Sequence, residues 1–370
     1  MGVWAKLLWA ALAVLLAVGG VGGVRLWLAA GKVPSGERLA RCERSPHWRG
    51  GQFVNEHPTP TMTGKGPAWK QMLKFLFRHP PELRPETPLP ARPLPAELPD
   101  GDCFAWLGHS SFLLSVGGVR FLFDPVLTHD FPFNLMLRPF PRERDYAPGD
   151  LPPFDVLVIT HDHWDHLDWN TMRALRKRLP GFRVVCPLGV GAHLEAWGYP
   201  ADAVTELDWG ESVAVSESVT LRCLPSRHFS GRLFTKNRSV WASWLVDGPR
   251  RVFVSGDGGA DDRFGRFGRE YPGIDWAILE NGQYDPGWRH IHTLPDELPG
   301  EILALGARRV LTVHNGKYTI ANHPWHEPLE RIREAAQGQP WQLFTPVMGE
   351  VVDLAEPQPT GAWWRECRTP

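Results

Sequence analysis

The chain has 370 residues, of which 43% are hydrophobic, and a formal net charge of -1 at pH 7. This length suits one large catalytic domain with additions, because single domains usually contain about 100 to 200 residues and α/β domains can reach about 250. The balanced charge argues against nucleic acid as a partner, since proteins that follow phosphate backbones carry strongly basic surfaces. The five cysteines lack CxxC spacing, so we expect buried thiols rather than disulfides or a zinc ribbon.

The first segment, residues 1–31, is apolar. No charged residue occurs between Leu7 and Val24, and the apolar stretch continues past Arg25 to Ala30. About 20 such residues are enough for a helix to span a bilayer. We therefore expect a retained, single-pass transmembrane anchor, with a secretory signal that stays uncleaved as the alternative. Basic residues lie on both sides of the span, so the side of the membrane that holds the rest of the chain stays open.

Residues 32–100 form a second segment that becomes rich in proline towards its end. Proline stiffens a chain into an extended form, so we predict a connector. Within this segment, apolar residues at helical spacing predict a short amphipathic helix over 69–78, packed on the main domain rather than on lipid. A tail at 356–370 follows the main domain.

The main domain, residues 101–355, consists of short β-type runs separated by turns and helices. Runs rich in β-branched and aromatic residues predict strands at 104–107, 111–116, 119–123, 156–160, 184–187, 219–224, 241–246, 252–255, 276–279 and 310–313. Helices are predicted at 170–178, 295–305 and 326–336. Strands in pairs, followed by strands that alternate with helices, indicate layered sheets with helices outside.

Potential metal ligands follow directly after four of these predicted strands. They are His161, His228, Asp257 and His314. In open sheets, functional side chains lie on loops beyond the strand ends, held by a rigid scaffold. We therefore expect these four strands to present their side chains to one edge.

The segment from His161 to His166 reads His-Asp-His-Trp-Asp-His. In an extended loop, side chains two apart share a face, so His161 and His163 can bind one metal ion, with His228 as its third ligand. Asp165 and His166 fall in the following turn, where they can hold a second ion beside the first.

His314 would complete the second site, and Asp257 could bridge the two ions. Nitrogen and oxygen ligands of this kind suit Zn²⁺ best, with Mn²⁺ or Fe²⁺ as alternatives. Paired ions lower the pKa of a bridging water to near neutrality, polarise the substrate oxygen and orient the leaving group. The sequence therefore predicts a hydrolase with two metal ions that acts through a metal-bridging hydroxide.

The His161 to His166 pattern resembles the HxHxDH signature of the metallo-β-lactamase fold hydrolases. Flanking motifs are similar to those of the branch that contains N-acylphosphatidylethanolamine-hydrolysing phospholipase D. These motifs are Gly51-Gln52-Phe53-Val54-Asn55, Trp106-Leu107-Gly108-His109-Ser110, Asp124-Pro125, Glu206-Leu207-Asp208-Trp209, Pro225-Ser226-Arg227-His228, Trp241-Ala242-Ser243-Trp244 and Gly256-Asp257. The resemblance spans about residues 50–350 and implies an αββα sandwich, with two mixed β-sheets face to face and helices outside, here preceded by the transmembrane helix.

The resemblance implies the same ligand assignment, with Asp165 and Asp257 also taking part in catalysis. It further implies that His292 stabilises the transition state or the leaving group. A helix-capping or surface position is the alternative for His292. For His109, a structural role after the first strand is favoured over a catalytic one.

Two segments depart from the phospholipase pattern. The chain reads Gly-Gln-Tyr-Asp-Pro-Gly-Trp at 282–288, where the phospholipase has Gly-Ala-Tyr-Glu-Pro-Arg-Trp, and Asn-Gly-Lys-Tyr at 315–318 in place of Trp-Gly-Thr-Phe. We expect these segments to border the substrate pocket, with Gln283, Tyr284 and Asn315 as substrate-binding residues.

The resemblance and the expected anchor together favour a phospholipase D-type phosphodiesterase that acts on N-acyl phospholipids or a related amphiphile at the membrane. A lactonase or carboxylic ester hydrolase with the same metal centre is the first alternative. A non-catalytic metal-binding protein is the second.

Overall fold

The computed structural model describes residues 3–77, 80–128, 134 and 137–367. Its strands form two seven-stranded sheets and one two-stranded hairpin. In chain order the strands are β1 (Trp48–Arg49), β2 (Gln52–Phe53), β3 (Cys103–Trp106), β4 (Phe112–Val116), β5 (Val119–Phe123), β6 (Val156–Val158), β7 (Arg183–Pro187), β8 (Val204–Leu207), β9 (Ser212–Ala214), β10 (Thr220–Pro225), β11 (Ala242–Asp247), β12 (Arg251–Val254), β13 (Trp276–Glu280), β14 (Arg309–Val313), β15 (Gln342–Phe344) and β16 (Val351–Asp353).

The two large sheets pack face to face. The first has the strand order β16-β3-β4-β5-β6-β7-β8 and the second β15-β14-β13-β12-β11-β10-β9. Each contains three antiparallel and three parallel pairs, so both are mixed. Alternate side chains of a strand face opposite sides of its sheet. In β12, Val252 and Val254 therefore enter the core shared by both sheets, whereas Phe253 packs on the outer side.

The helices lie outside the two large sheets. They are α1 (Val3–Ala30), α2 (Gly36–Arg44), α3 (Ala68–Phe77), α4 (Trp169–Arg176), α5 (Gly191–Ala196), α6 (Arg263–Glu270), α7 (Leu298–Leu305) and α8 (Glu327–Ala335). Phe264 and Phe267 of α6 and Ile302 of α7 share an outer hydrophobic cluster with Phe253. The predicted arrangement of two mixed sheets with helices outside is confirmed.

The prediction of a transmembrane helix was wrong. In the parts of the chain that the structure describes, no helix combines the length and the apolar character needed to cross a bilayer. A single-pass membrane location is therefore not supported. One physical reason is that α1 contains four glycines between residues 19 and 23, which add length but little apolar surface. Another is that its last turn packs on the domain, where Ala29 is fully buried and Trp197 Nε1 donates to the Leu28 carbonyl at 2.8 Å.

Residues that precede and follow the predicted main domain in the sequence contribute to its core. Cys42, Phe53 and Leu89 from the predicted connector and Trp364 from the predicted tail are fully buried in the same cluster as the sheets. The division into connector, domain and tail stays a prediction. All five cysteines are buried thiols, as the sequence indicated.

The predicted amphipathic helix over 69–78 corresponds to α3, although its last residue lies outside the described part of the chain. Trp69 is 61% exposed and Phe77 is 80% exposed. This face of α3 therefore makes little contact with the rest of the described chain.

Candidate metal centre

Four strands, one from the first large sheet and three from the second, lead into the loops that carry the predicted ligands. His161 follows β6, His228 follows β10, Asp257 follows β12 and His314 follows β14. Strands β12, β13 and β14 are parallel neighbours, and β10 runs in the same direction because two antiparallel pairings separate it from β12. Together with the loop at 161–166, the structure brings all seven predicted ligands into one place.

His161, His163 and His228 form the first group. Nδ1 of His163 lies 2.9 Å from Nε2 of His161 and 3.1 Å from Nε2 of His228. Phe229 packs edge-on against the His163 ring, with centroids 4.4 Å apart, and shields this group on one side. Three imidazole nitrogens that converge in this way can bind one divalent cation.

Asp165, His166 and His314 form the second group, which His109 joins. Nε2 of His109 lies 2.9 Å from the Asp165 carboxylate, and the centroid of the His109 ring lies 4.1 Å from that of His314. His109 is fully buried. The sequence favoured a structural role for it, and the structure adds it to the side chains that could hold or orient a second ion.

Asp257 lies between the two groups. Its Oδ2 is 3.8 Å from His161 Nε2 and 3.9 Å from His228 Nε2 on one side, and 3.1 Å from His166 Nε2 on the other. Its Oδ1 lies 3.3 Å from Nδ1 of His314. Asp257 is thus the side chain whose carboxylate reaches both groups.

Burial and neighbouring charges set the protonation of these side chains. Burial lowers the pKa of His161 and His228 well below the usual value and so favours the neutral imidazole that binds metal. Burial opposes a charge on Asp257, but His166 and His314 outweigh it and hold the pKa of this carboxyl well below its usual range. Burial likewise opposes a charge on His166, while three carboxylates, with Asp257 the strongest, raise its pKa.

Hydrogen bonds behind the histidines fix their orientation. Nδ1 of His228 donates to the Ile291 carbonyl at 2.8 Å, and Nδ1 of His166 lies 2.7 Å from the buried Asp124 carboxylate. Such outer contacts select the ring nitrogen that faces a metal ion. Among the described residues, Nε2 of His166 and Oδ1 of Asp257 are buried and make no well-oriented hydrogen bond. With Nδ1 of His166 bonded to Asp124, Nε2 of the neutral ring carries a lone pair, and this nitrogen and the Asp257 oxygen are ligand atoms that fit divalent cations.

His292 lies over the centre, between the two groups. Its ring centroid is 5.2 Å from that of His228 and 5.2 Å from that of His314. Nδ1 of His292 lies 2.7 Å from the carboxylate of Glu280, the last residue of β13. The ring is therefore part of the buried site rather than a helix cap or a surface group.

The three predicted substrate-binding residues are buried, and their polar atoms form hydrogen bonds with other groups of the protein. Gln283 bonds backbone groups through both ends of its amide, accepting from Ile320 N and donating to the Tyr318 carbonyl. The Tyr284 hydroxyl donates to Glu327 at 2.9 Å, and Asn315 Nδ2 donates to backbone carbonyls. Their substrate contacts stay predictions.

The sequence predictions give no functional role to Glu280 or Asp124, although the sequence around each residue has the same pattern as around the predicted ligands. Each follows a hydrophobic β-type run directly, as the predicted ligands do. The predicted strand 276–279 stops one residue before Glu280, and the strand 119–123 stops one residue before Asp124.

Comparisons with known proteins show which family the chain resembles. A family model described as the beta-lactamase superfamily domain matches residues 119–315. An uncharacterized protein of Mycobacterium tuberculosis is 36% identical over 344 residues, which cover 88% of this chain and 89% of that protein. N-acyl-phosphatidylethanolamine-hydrolyzing phospholipase D 1 of Caenorhabditis elegans is 33% identical over 272 residues, which cover 68% of this chain and 75% of that protein.

Among solved structures, an isothiocyanate hydrolase from Delia radicum gut bacteria matches with a TM-score of 0.53 and 16% identity. The match covers 68% of this chain and 98% of that one, and at this identity it shows a common fold alone. The matched family model and the C. elegans relative show the family in addition to the fold. The chain belongs to the beta-lactamase superfamily and is a metal-dependent hydrolase with the metallo-β-lactamase fold.

Proposed function

We propose that the chain is a dinuclear hydrolase, with Zn²⁺ as its preferred ion and Mn²⁺ or Fe²⁺ as alternatives, that cleaves a phosphodiester bond in an N-acyl phospholipid or a related amphiphile. The observation that carries the proposal is the position of Asp257, whose carboxylate reaches both groups of histidines. The name of the C. elegans relative supports the reaction type and the substrate class.

The side chains would have separate roles in such a reaction. His161, His163 and His228 would hold one cation, and Asp165, His166 and His314 the other, with Asp257 between them. When bound, the ions supply Lewis acidity and lower the pKa of a water molecule. Asp124 and the Ile291 carbonyl keep the rings oriented, and Phe229 packs edge-on against the His163 ring.

The test combines metal analysis with a substrate panel. The purified full chain is loaded with Zn²⁺, its metal content is measured by elemental analysis, and it is assayed on N-acyl phospholipids, simple phosphodiesters, lactones and carboxylic esters. We expect two ions per chain and release of phosphatidic acid from the N-acyl phospholipid. Opening of a lactone or carboxylic ester without turnover of any phosphodiester would overturn the proposed reaction.

A lactonase or carboxylic ester hydrolase is the second candidate. It is favoured by the departures from the phospholipase pattern at 282–288 and 315–318. A non-catalytic metal-binding protein is disfavoured because the chain retains a full set of seven candidate ligands. Stoichiometric metal without hydrolysis of any ester on the panel would support it.

A further inference from the structure

Asp162 lies between His161 and His163 in the metal loop, residues 161–166. It is 2% exposed. Among the described residues, its carboxylate joins none of the groups that could hold a metal ion. A carboxylate at this depth needs partners for its oxygens, because an unpaired buried charge is costly. Those partners show what Asp162 does in the loop.

Both oxygens of Asp162 accept hydrogen bonds from other segments. Oδ1 accepts from the backbone N–H of Gly231 at 2.6 Å, and Oδ2 accepts from the Ser239 hydroxyl at 2.8 Å. Nε2 of His193 lies 3.2 Å from Oδ2 and donates to it, because an ionised carboxylate only accepts. Gly231 comes three residues after His228. Asp162 therefore joins the metal loop to the segment that carries the third ligand of the first group.

The end of α1 packs against the same buried network. Gly31, directly after α1, has a φ of +72°, and a Cβ added to it would lie 2.3 Å from Nδ1 of His193. This Nδ1 is buried and has no hydrogen-bond partner among the described residues. The His193 ring is thus held between Gly31, which faces Nδ1, and Asp162, which accepts from Nε2.

We propose that Asp162 is a positioning residue that sets the spacing of the three imidazoles of the first group, and that the contact of Gly31 with His193 keeps this carboxylate in place. The inference rests on the proposed metal centre and gives the end of α1 a role in metal binding. The bond to Gly231 fixes the metal loop against the segment that follows His228. A shift of either segment moves the ring nitrogens away from their common point. Loss of an outer contact of this kind lowers metal affinity about 10- to 100-fold.

Asp162→Asn tests the carboxylate without changing the shape of the side chain. The amide oxygen can still accept from Gly231, but the NH₂ group then faces the Ser239 hydroxyl and Nε2 of His193, which both donate to the wild-type oxygen. We expect the affinity for one Zn²⁺ ion to fall about 10- to 100-fold. The affinity for the other ion should stay unchanged. Competition of the purified full chain with a chromophoric chelator measures both affinities.

Asp102→Asn is the control for the loss of a carboxylate contact. Oδ1 of Asp102 accepts from the backbone N–H of Gly117 at 2.8 Å, and Oδ2 lies 2.9 Å from Nε of Arg250. Asp102 precedes β3, at the opposite end of this strand from His109. The variant should lower the free energy of unfolding but leave both affinities unchanged. If it weakens Zn²⁺ binding as much as Asp162→Asn does, general destabilisation explains the effect and the inference is wrong.

Gly31→Ala tests the contact from the side of α1. Its methyl group must displace the His193 ring, so we expect the same ion to bind more weakly. Gly36→Ala is the matched control. Gly36 also has a positive φ, +55°, so alanine is strained there too, but no described atom lies within 4 Å of a Cβ at this position. Equal Zn²⁺ affinities in the two glycine variants would contradict the proposed role of Gly31.

Co²⁺ in place of Zn²⁺ identifies the group that loses its ion, because the visible spectrum of Co²⁺ depends on its ligands and their geometry. His163→Ala removes a ligand of the first group alone, so it should retain the spectrum of the second ion. At limiting Co²⁺, Asp162→Asn and Gly31→Ala should give this same spectrum, and saturating Co²⁺ should restore the missing bands. Loss of the other bands, or of all bands in parallel, would overturn the inference.

These measurements do not depend on turnover. If the wild type binds two ions but hydrolyses no phosphodiester, the proposed reaction fails, while the affinities and spectra still decide the role of Asp162. If the wild type binds no ion, the proposed centre and this inference fail together.

Discussion

Loss of the Asp257 side chain should affect both candidate metal positions. Asp257→Ala removes the carboxylate that lies within 3.1 to 3.9 Å of four imidazole nitrogens. We expect hydrolysis to fall more than about 100-fold, because loss even of an outer contact to a ligand costs about 10- to 100-fold. Bound Zn²⁺, measured by elemental analysis, should fall below two ions per chain.

Asp155→Asn is the matched control. Asp155 pairs with Arg120 at 2.7 Å just before β6, at the opposite end of the strand from His161. It should leave both activity and metal content unchanged. Full activity in Asp257→Ala would contradict the proposed centre.

Asp124 should affect metal binding indirectly, through its contact with the candidate ligand His166. Its carboxylate lies 2.7 Å from Nδ1 of His166 and also accepts from the Thr160 hydroxyl and backbone N–H. Asp124→Asn should weaken the affinity for Zn²⁺ about 10- to 100-fold by releasing the His166 ring from its orientation. Competition with a chromophoric chelator measures this change, and an unchanged affinity would argue against the outer-contact role.

Glu301 is a buried acid outside the centre whose effect on stability should depend on pH. Burial raises its pKa well above the usual value, against the opposing effects of Arg263 and Thr293. An acid whose pKa is raised on folding contributes its stability fully below the unfolded pKa and loses it as pH rises through the folded pKa. Glu301→Gln should therefore gain stability relative to the wild type as pH rises from 5 to 8. Urea unfolding at both values checks the sign, and a relative loss at pH 8 would refute it.

At the scale of elements, Arg232 connects three separate parts of the chain. Its buried guanidinium donates to the carbonyl of Asp162, within the loop at 161–166, to that of Leu167, directly after this loop, and to that of Ala29 at the end of α1. It also stacks on Trp164, 3.8 Å from the ring centroid. The last turn of α1 is thus attached to the back of the metal loop.

Replacing Arg232 should therefore destabilise the fold. Arg232→Met leaves three carbonyl oxygens without their donor, and each buried acceptor left unpaired costs about 1 to 3 kcal/mol. We expect the free energy of unfolding, measured with urea, to fall by about 3 kcal/mol. Arg238→Met, in the same loop, removes one bond to the Gly51 carbonyl and should cost much less. Equal losses would show that Arg232 does not link these elements.

At the scale of the whole molecule, metal binding should stabilise the fold. The seven candidate ligands come from four separate segments of the chain, so only the folded state holds them together. Free Zn²⁺ at 100 times its Kd should add about 2.7 kcal/mol to the free energy of unfolding. Thermal unfolding with Zn²⁺ and with a chelator measures this difference as a reversible change in Tm. A Tm that does not respond to Zn²⁺ would contradict the metal centre.

Much of the central architecture could be predicted from local patterns. Each of the ten predicted strands overlaps an observed one, and the predicted helices correspond to α4, α7 and α8. Short strands such as β9, β15 and β16 were missed, since three residues carry too little periodicity. The apolar pattern of residues 7–30 predicted a membrane span, whereas the last turn of α1 packs on Trp197.

The sequence by itself determined which side chains could gather at the candidate centre. Strand ends and the spacing within 161–166 are local features, and parallel strands bring their carboxyl ends together. Only the tertiary structure decided which groups those side chains bond, because hydrogen-bond partners come from distant segments. Glu280 thus hydrogen-bonds to His292, and Gln283 hydrogen-bonds to backbone groups at 318–321.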